Sequence, residues 1–333
     1  MGGDFAPANV VAGALDALEE SHGRLSLVLV GQQERIEDEL RKQNQRTSSG
    51  GERFQELLSV RHASEVIDMH DPPTAALRTK KDSSVGVALR LHHEGSAQAF
   101  VSAGNTGAVM SASTLILGRM KGVGRPTIGA LVPTVKTPCF LVDAGANVDC
   151  QPRHLFEFAV MGSIFVSSML GKPDPAVGLL SIGEEETKGN AVTLESLALL
   201  RKSRLNFVGN VEGRDILKGD VDVVVCDGFT GNILLKFGES LPSFIKAKFV
   251  AFAAQSLSGK LIGLVARKGL RTVMKELDYQ EYGGVPLLGV NGVSIIGHGR
   301  STPKAFKNMI YRAEEMVSRN VNTHILEALQ KYS

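Results

Sequence analysis

Residues 221–232 read Val-Asp-Val-Val-Val-Cys-Asp-Gly-Phe-Thr-Gly-Asn: an apolar run, an aspartate, a glycine turn, then a helix-like pattern. The same succession stands at two other places. Gln98-Ala99-Phe100-Val101 leads into Ser102-Ala103-Gly104-Asn105-Thr106-Gly107, and Cys139-Phe140-Leu141-Val142 leads into Asp143-Ala144-Gly145-Ala146-Asn147. A turn between strand and helix leaves backbone N–H groups unspent beside the positive end of the helix dipole, which suits an anion such as phosphate. Three such turns at the carboxyl ends of parallel strands are expected to face one crevice.

Working outward, further apolar runs stand at 25–30, 128–132, 177–180 and 293–296, several of them continuous, as in strands covered on both faces. Helical periodicity occupies 9–20, 34–43, 106–117, 152–170, 191–202 and 304–329. This alternation predicts an α/β fold with a doubly wound sheet. The polar stretch 42–51 reads as a loop or frayed helix end, and Pro72-Pro73 as the first turn of another helix. With no internal repeat and no long linker, residues 1–333 are expected to form a single α/β domain with one excursion at 240–275.

Composition narrows the function. The 37 basic residues are balanced by 35 acidic ones, which gives no reason to expect a nucleic-acid partner. Cys139, Cys150 and Cys226 lack CxxC spacing, which argues against a disulfide framework or zinc site and suits a reducing cytoplasm. There is no signal-peptide pattern and no apolar stretch of about 18 residues, so a soluble or peripheral protein is expected. The dinucleotide and P-loop glycine motifs, HExxH and GxSxG are all lacking, so no cofactor is expected. His92-His93-Glu94 does not suggest a metal, because adjacent histidines on a helix point about 100° apart.

The excursion 240–275 contains no Asp or Glu but seven basic residues, Lys246, Lys248, Lys260, Arg267, Lys268, Arg271 and Lys275. Ile245, Phe249 and Phe252, then Leu257, Leu261, Leu264 and Val265, recur at helical spacing, which predicts two amphipathic helices joined near 255–258. Basic helices with an apolar face lie flat on anionic membranes. The alternatives are a helix pair packed on the core or on a second subunit, and a docking surface for an acidic protein.

Candidate site residues gather at the turns. Asn105 and Thr106 can cap the following helix, while Gly104 lets a ligand approach the backbone. Asp143 and Asp227 either cap their turns or orient a ligand or a catalytic lysine. In the loop Gly183-Glu184-Glu185-Glu186-Thr187-Lys188-Gly189-Asn190, the carboxylates repel phosphate unless they pair with Lys188 or point away, so Lys188 and Asn190 are the stronger ligand candidates. The glycine-rich stretch 282–292 leads to His298 and Arg300, where the histidine either binds an anion, serves as acid and base, or is a structural donor.

Met1-Gly2-Gly3-Asp4 with Ala6-Pro7, the 102–108 turn, Asp143 with Gly145-Ala146-Asn147, Lys188-Gly189-Asn190, 227–232, Tyr282-Gly283-Gly284 and His298-Gly299 together resemble the phosphate acyltransferases of bacterial phospholipid synthesis, nearly end to end. The resemblance implies acyl phosphate formation from acyl-(acyl carrier protein) and inorganic phosphate. It implies a sheet like that of isocitrate and isopropylmalate dehydrogenases and phosphotransacetylase, with a projecting amphipathic helical hairpin, and a homodimer. It also implies peripheral attachment of a cytoplasmic protein to an anionic membrane through 240–275, with Phe249, Phe252, Leu257, Lys260, Leu261, Val265 and Lys268 as contacts, and a downstream membrane glycerol-3-phosphate acyltransferase. Family members begin with a strand that runs into the Met-Gly-Gly-Asp turn, so an N-terminal strand is expected to be missing here. Phe5 stands where the family usually has His.

The expected mechanism is direct attack of bound phosphate on the thioester. Phosphate is already an anion near pH 7, and a thiol leaving group of pKa about 8.5 departs without a strong acid. Asn105, Thr106, Asn147, Asn232 and Lys188 are expected to hold phosphate and the developing oxyanion, with His298 moving a proton. The rival readings are a phosphate acyltransferase using acyl coenzyme A, a decarboxylating dehydrogenase, and a non-catalytic module binding lipid or carrier protein.

Overall fold

The computed structural model describes residues 1–46, 56–277 and 279–332. Apolar runs become strands and stretches of helical period become helices. Helix α1 (Ala8–Ser21) is followed by β1 (Leu27–Gly31), α2 (Gln33–Arg46), β2 (Leu58–His62), α3 (Pro73–Thr79), α4 (Ser84–His93) and β3 (Ala99–Ser102). Then come α5 (Thr106–Ile116), β4 (Thr127–Val132), β5 (Cys139–Val142), α6 (Pro152–Leu170), β6 (Val177–Leu180), α7 (Ala191–Arg201) and β7 (Phe207–Val211). The chain closes with β8 (Val223–Val225), α8 (Gly228–Ala254), α9 (Leu257–Glu276), β9 (Val285–Leu288), β10 (Val293–Ile296), α10 (Pro303–Ser318) and α11 (Val321–Gln330).

Several elements differ from expectation. The periodic stretch 304–329 is two helices, because Asn320 adopts φ 51° in the left-handed region, which Asn tolerates better than most residues. Strands β2, β7 and β9 arise from runs broken by Ser, Arg, Gly, Asn or Pro, which blunt the apolar signal. Residues 47–51 of the expected loop lie outside the described set.

An eight-stranded sheet has the order β3-β10-β9-β4-β5-β8-β6-β7, and β1 with β2 forms a separate two-stranded parallel sheet. Strands β5, β8, β6 and β7 run parallel, as do β3 and β10. Between these groups β9 is antiparallel to both β10 and β4, and β4 is antiparallel to β5. The chain sense therefore reverses three times from β3 to β5, and the two point in opposite directions. The fold is α/β with a mixed sheet, and the expected single rim for all three turns does not form. The turn after β3 lies at one end of the sheet; the turns after β5 and β8 lie at the other.

Side chains alternate between two apolar layers, which is why the strands read as continuous apolar runs. Phe140 and Val142 of β5 and Val223 and Val225 of β8 join α6, α10 and α11, whereas Cys139, Leu141 and Val224 face the opposite layer with Leu234 and Leu235 of α8. Gly129 of β4 permits this packing: a Cβ there would fall 1.8 Å from the Phe140 ring. Beyond the sheet, Phe244, Ile245, Val250 and Phe252 of α8 and Ile262, Leu264 and Val265 of α9 are exposed, while Phe249 is half-buried. The two helices approach closely where Gly263 meets the Ala253 methyl. The side chains of Leu257, Lys260 and Leu261 lie outside the described set.

Candidate active site

At the β3 end, three glycine-bordered loops interlock. The Gly297 N–H donates to Ser102 O at 2.8 Å, and the Asp4 N–H donates to Gly299 O at 2.7 Å. Gly2 presses on the β3 turn so closely that a Cβ would lie 2.9 Å from Ser102 Oγ and 3.0 Å from the Gly104 nitrogen. Asn105, buried, caps α5 by accepting from the Ala108 N–H at 3.1 Å. Its Nδ2 group spans the carbonyls of Asp68, Met69 and Asp71 at 3.3, 3.1 and 3.0 Å. Both ends of its amide are thus used within the frame, and it acts as a positioning group. Among the described residues, no acceptor takes the N–H of Thr106 or Gly107 at the start of α5, so the helix presents unspent donors next to its positive dipole end.

His298 and Arg300 project from the neighbouring loop and are exposed. His298 Nδ1 accepts from the Arg300 N–H at 3.1 Å, which leaves Nε2 to carry the proton of a neutral ring. The Arg300 guanidinium, 77% exposed, stands 3.9 Å from the Asp4 carboxylate, a loose pair that leaves its charge available.

The other end is built differently. Asp143 is fully buried. Its Oδ1 accepts from the N–H groups of Gly145 at 3.0 Å and Ala146 at 2.8 Å, and its Oδ2 accepts from the Asn147 backbone at 2.7 Å and Nδ2 at 2.8 Å. Burial pushes this carboxyl above the usual range, and the N–H donors oppose that push. Asn147 Nδ2 also reaches Pro126 O at 2.8 Å, and Asn147 O receives the Gly228 N–H at 2.7 Å. Asp227 caps α8 through the Thr230 N–H and hydroxyl, both at 2.8 Å. At the β5 turn the Asp143 carboxylate takes the donors that an anion would need, and at the β8 turn Asp227 takes the Thr230 N–H while the Asn147 carbonyl takes that of Gly228. The exposed polar group left there is Asn232, which lies against Gly145.

Lys188 is exposed on the loop after β6, held through its backbone by the Glu185 carbonyl at 3.0 Å and the Ser181 hydroxyl at 3.1 Å. Of the neighbouring acids, Glu184 pairs with Arg214 at 3.5 Å and Glu186 pairs with Arg201, while the Glu185 carboxylate lies at Gly183 near the Lys188 side chain. No described carboxylate lies within ion-pair distance of the Lys188 amine. Asn190 caps α7 by accepting from the Thr193 N–H at 2.9 Å. Although the two ends are separated by strand direction, Val109 of α5, Ala144 and Ala146 of the β5 turn and Leu235 of α8 share one apolar cluster. Both sets of loops therefore border the same face of the sheet.

Some participants escaped the sequence reading. The 68–71 loop carries no motif beyond the turn-forming Asp-Pro-Pro, yet it is gripped by Asn105 and by Lys80, which bonds Asp71 at 2.5 Å. Burial pushes the Cys139 thiol up to about 12 and Cys150 to about 11, so neither is a thiolate nucleophile near neutrality. Among the described residues no cluster of three potential metal ligands occurs.

The α/β architecture with its mixed sheet is shared with solved structures. The branched-chain phosphotransacylase of Enterococcus faecalis V583 superposes on 95% of this chain and 96% of its own, with TM-score 0.58 at 16% identity. The phosphotransacetylase of Streptococcus pyogenes matches 97% and 92%, with TM-score 0.54 at 17% identity. Likeness at that identity establishes shared architecture.

Sequence relatives go further. The phosphate acyltransferase of Heliobacterium modesticaldum is 50% identical over 98% of this chain and 95% of its own, and that of Pelotomaculum thermopropionicum is 48% identical over 99% and 93%. The family model described as fatty acid synthesis protein matches residues 1–324. The chain belongs to this phosphate acyltransferase family. It is accordingly an enzyme, a transferase whose chemistry is acyl transfer involving phosphate.

Proposed function

We propose that the protein makes acyl phosphate from acyl-(acyl carrier protein) and inorganic phosphate, supplying phospholipid synthesis. The observation that carries this reading is the unspent N-terminus of α5 beside Arg300 and His298, a ready seat for phosphate. A phosphate oxygen attacks the thioester carbonyl, the C–O bond forms, and the C–S bond breaks as the thiolate leaves. The net proton passes from hydrogen phosphate to sulfur, with His298 Nε2–H as the relay. The tetrahedral oxyanion is stabilised by the positive field of Arg300 and the helix end. Asn105 contributes by holding the 68–71 loop and the cap in place.

Lys188, Asn190 and Asn232, at the other end of the same face, hold the anionic arm of the carrier. Asp143, Asn147 and Asp227 position that end. Helices α8 and α9 act as a hairpin that lays its apolar face on an anionic membrane, where a cytoplasmic homodimer hands its lipophilic product to a glycerol-3-phosphate acyltransferase. The exposed Phe252 and Val265, and the lack of acidic residues through 240–275, support that role.

The test is phosphate-dependent loss of acyl-carrier thioester, with acyl phosphate trapped by hydroxylamine. Asn105→Ala and Lys188→Ala are each expected to lower product formation at least about tenfold, or ~1.4 kcal/mol. Unchanged product from folded variants removes the assignment. Equal turnover of acyl coenzyme A would replace the carrier as donor.

A further inference from the structure

Between Glu94 and Asp143 the chain carries no Asp or Glu, and three of its four cations there, Arg119, Lys121 and Arg125, stand close together. They lie on the loop 117–126 that joins α5 to β4. The loop is firmly held. Met120 and Val123 are buried in the α6 layer, and the Met120 N–H donates to Gly289 O at 3.0 Å. Asn291 grips the carbonyls of Leu117 and Arg119 through Nδ2 at 3.3 and 3.1 Å, and that of Gly118 through its N–H at 2.9 Å. With the apolar side chains turned inward, all three cations are exposed.

Their charges are unspent. Arg119 bonds the Gly124 carbonyl and Arg125 the Asp149 carbonyl at 3.0 Å, and neither acceptor neutralises a guanidinium. The buried Glu157 nearby is taken by the Gly124 N–H at 2.7 Å and by Arg153 at 3.0 Å. Among the described residues, no carboxylate lies within ion-pair distance of Arg119, Lys121 or Arg125. The positive end of the α6 dipole opens beside them, where His154 and Glu157 border Gly124.

Strand pairing fixes where this surface lies. Because β4 runs antiparallel to β5, its entry adjoins the exit of β5: the Ala144 N–H donates to Ile128 O at 2.8 Å, and Asn147 Nδ2 donates to Pro126 O at 2.8 Å. Strands β5, β8 and β6 are parallel, so the loop shares its end of the sheet with Lys188. Val148 of the β5 turn, 62% exposed, is next in sequence to the residue that Arg125 holds.

We infer that the 117–126 loop is the docking surface for an acidic protein, the carrier that brings the acyl group; this rests on the donor proposed above. A fixed loop bearing unpaired cations loses little entropy on binding and steers an acidic partner by charge. The exposed Val148 supplies an apolar contact within a charged rim. A bilayer fits less well, because Leu117, Met120 and Val123 are buried and the loop has no aliphatic side chain left to insert. Lys188 thus meets the arm of the carrier, and the loop meets the folded protein that bears it.

The test measures binding of a fluorescently labelled acyl carrier protein, by anisotropy at low salt, to the unaltered chain, Lys121→Glu and Arg119→Glu. Lys121 has no hydrogen-bond or ion-pair partner among the described residues, so its reversal changes charge without disturbing the loop. Each variant is expected to weaken binding at least about fivefold, with the difference vanishing near about 0.5 M salt, as for exposed charges. The KM for a small acyl-pantetheine thioester is expected to stay unchanged. Carrier binding unaltered by Lys121→Glu, or a KM for acyl-pantetheine raised as much as that for the acyl carrier, overturns the inference. So does an unaltered chain that binds no carrier. Loss of self-association in sedimentation instead would make the loop an interface between copies, and loss of vesicle co-sedimentation would make it a lipid contact. Carrier that binds through the loop while no acyl phosphate forms would sink the proposed chemistry and leave this inference standing.

Discussion

Asp143, for which the residue types leave turn capping and ligand orientation both open, spends its carboxylate on its own turn. Its two oxygens gather the N–H groups of Gly145, Ala146 and Asn147, and the carbonyl of Asn147 in turn receives the first N–H of α8. Asp143→Asn would set an NH2 group against N–H donors, and we expect a loss of about 2–4 kcal/mol in urea unfolding, since buried donors would lose their charged acceptor. A change within about 0.5 kcal/mol would show that the turn does not depend on the carboxylate. Residue types foretold these turns, because Asp and Asn before a helix cap it locally. Whether the caps leave donors for a ligand was not legible, since it depends on where each carboxylate points. Asn105 and Asp143 look alike as residues that follow an apolar strand, yet Asn105 leaves the Thr106 and Gly107 N–H groups unspent, whereas Asp143 takes those of Gly145, Ala146 and Asn147.

Among the elements, α8 and α9 stand apart. Helix α8 is 27 residues long, or about 40 Å, and only its first part is held by the sheet, where Gly231 packs so tightly that a Cβ would meet Asp143 O at 1.8 Å. Farther along, Phe244 and Phe252 are 58% and 47% exposed, more than a core helix would leave in water. Phe252→Glu is expected to cut co-sedimentation with anionic vesicles at least about tenfold while sparing turnover of soluble substrate, because it places a charge on the inserting face. Co-sedimentation unchanged by that substitution would remove the helix pair as the anchor, and loss of carrier binding instead would make it a docking surface. The amphipathic period and the missing acidic residues were readable in the chain; the close approach of Gly263 to Ala253 was not, because it depends on how the two helices cross.

For the molecule as a whole, the reversals of chain sense at β9, β4 and β5 set the two groups of loops at opposite ends of one face, and the proposed function assigns phosphate to one end and the carrier to the other. Arg300→Ala should therefore raise the KM for phosphate with little effect on that for the acyl carrier, and Lys188→Ala should do the reverse, each by at least about fivefold in steady-state assays. Equal effects of both variants on both substrates would place all the ligands at one point and contradict the division. The sequence by itself determined the alternation of strands and helices, the capped glycine turns and the family, because hydrophobic period, turn chemistry and motif spacing are local properties written along the chain. Only the tertiary structure decided strand direction, the spending of backbone donors at the β5 turn, and the separation of β1 and β2 into a sheet of their own. Those outcomes follow from pairing between segments far apart in sequence, where either orientation of a short apolar strand buries the same side chains and long-range packing selects one.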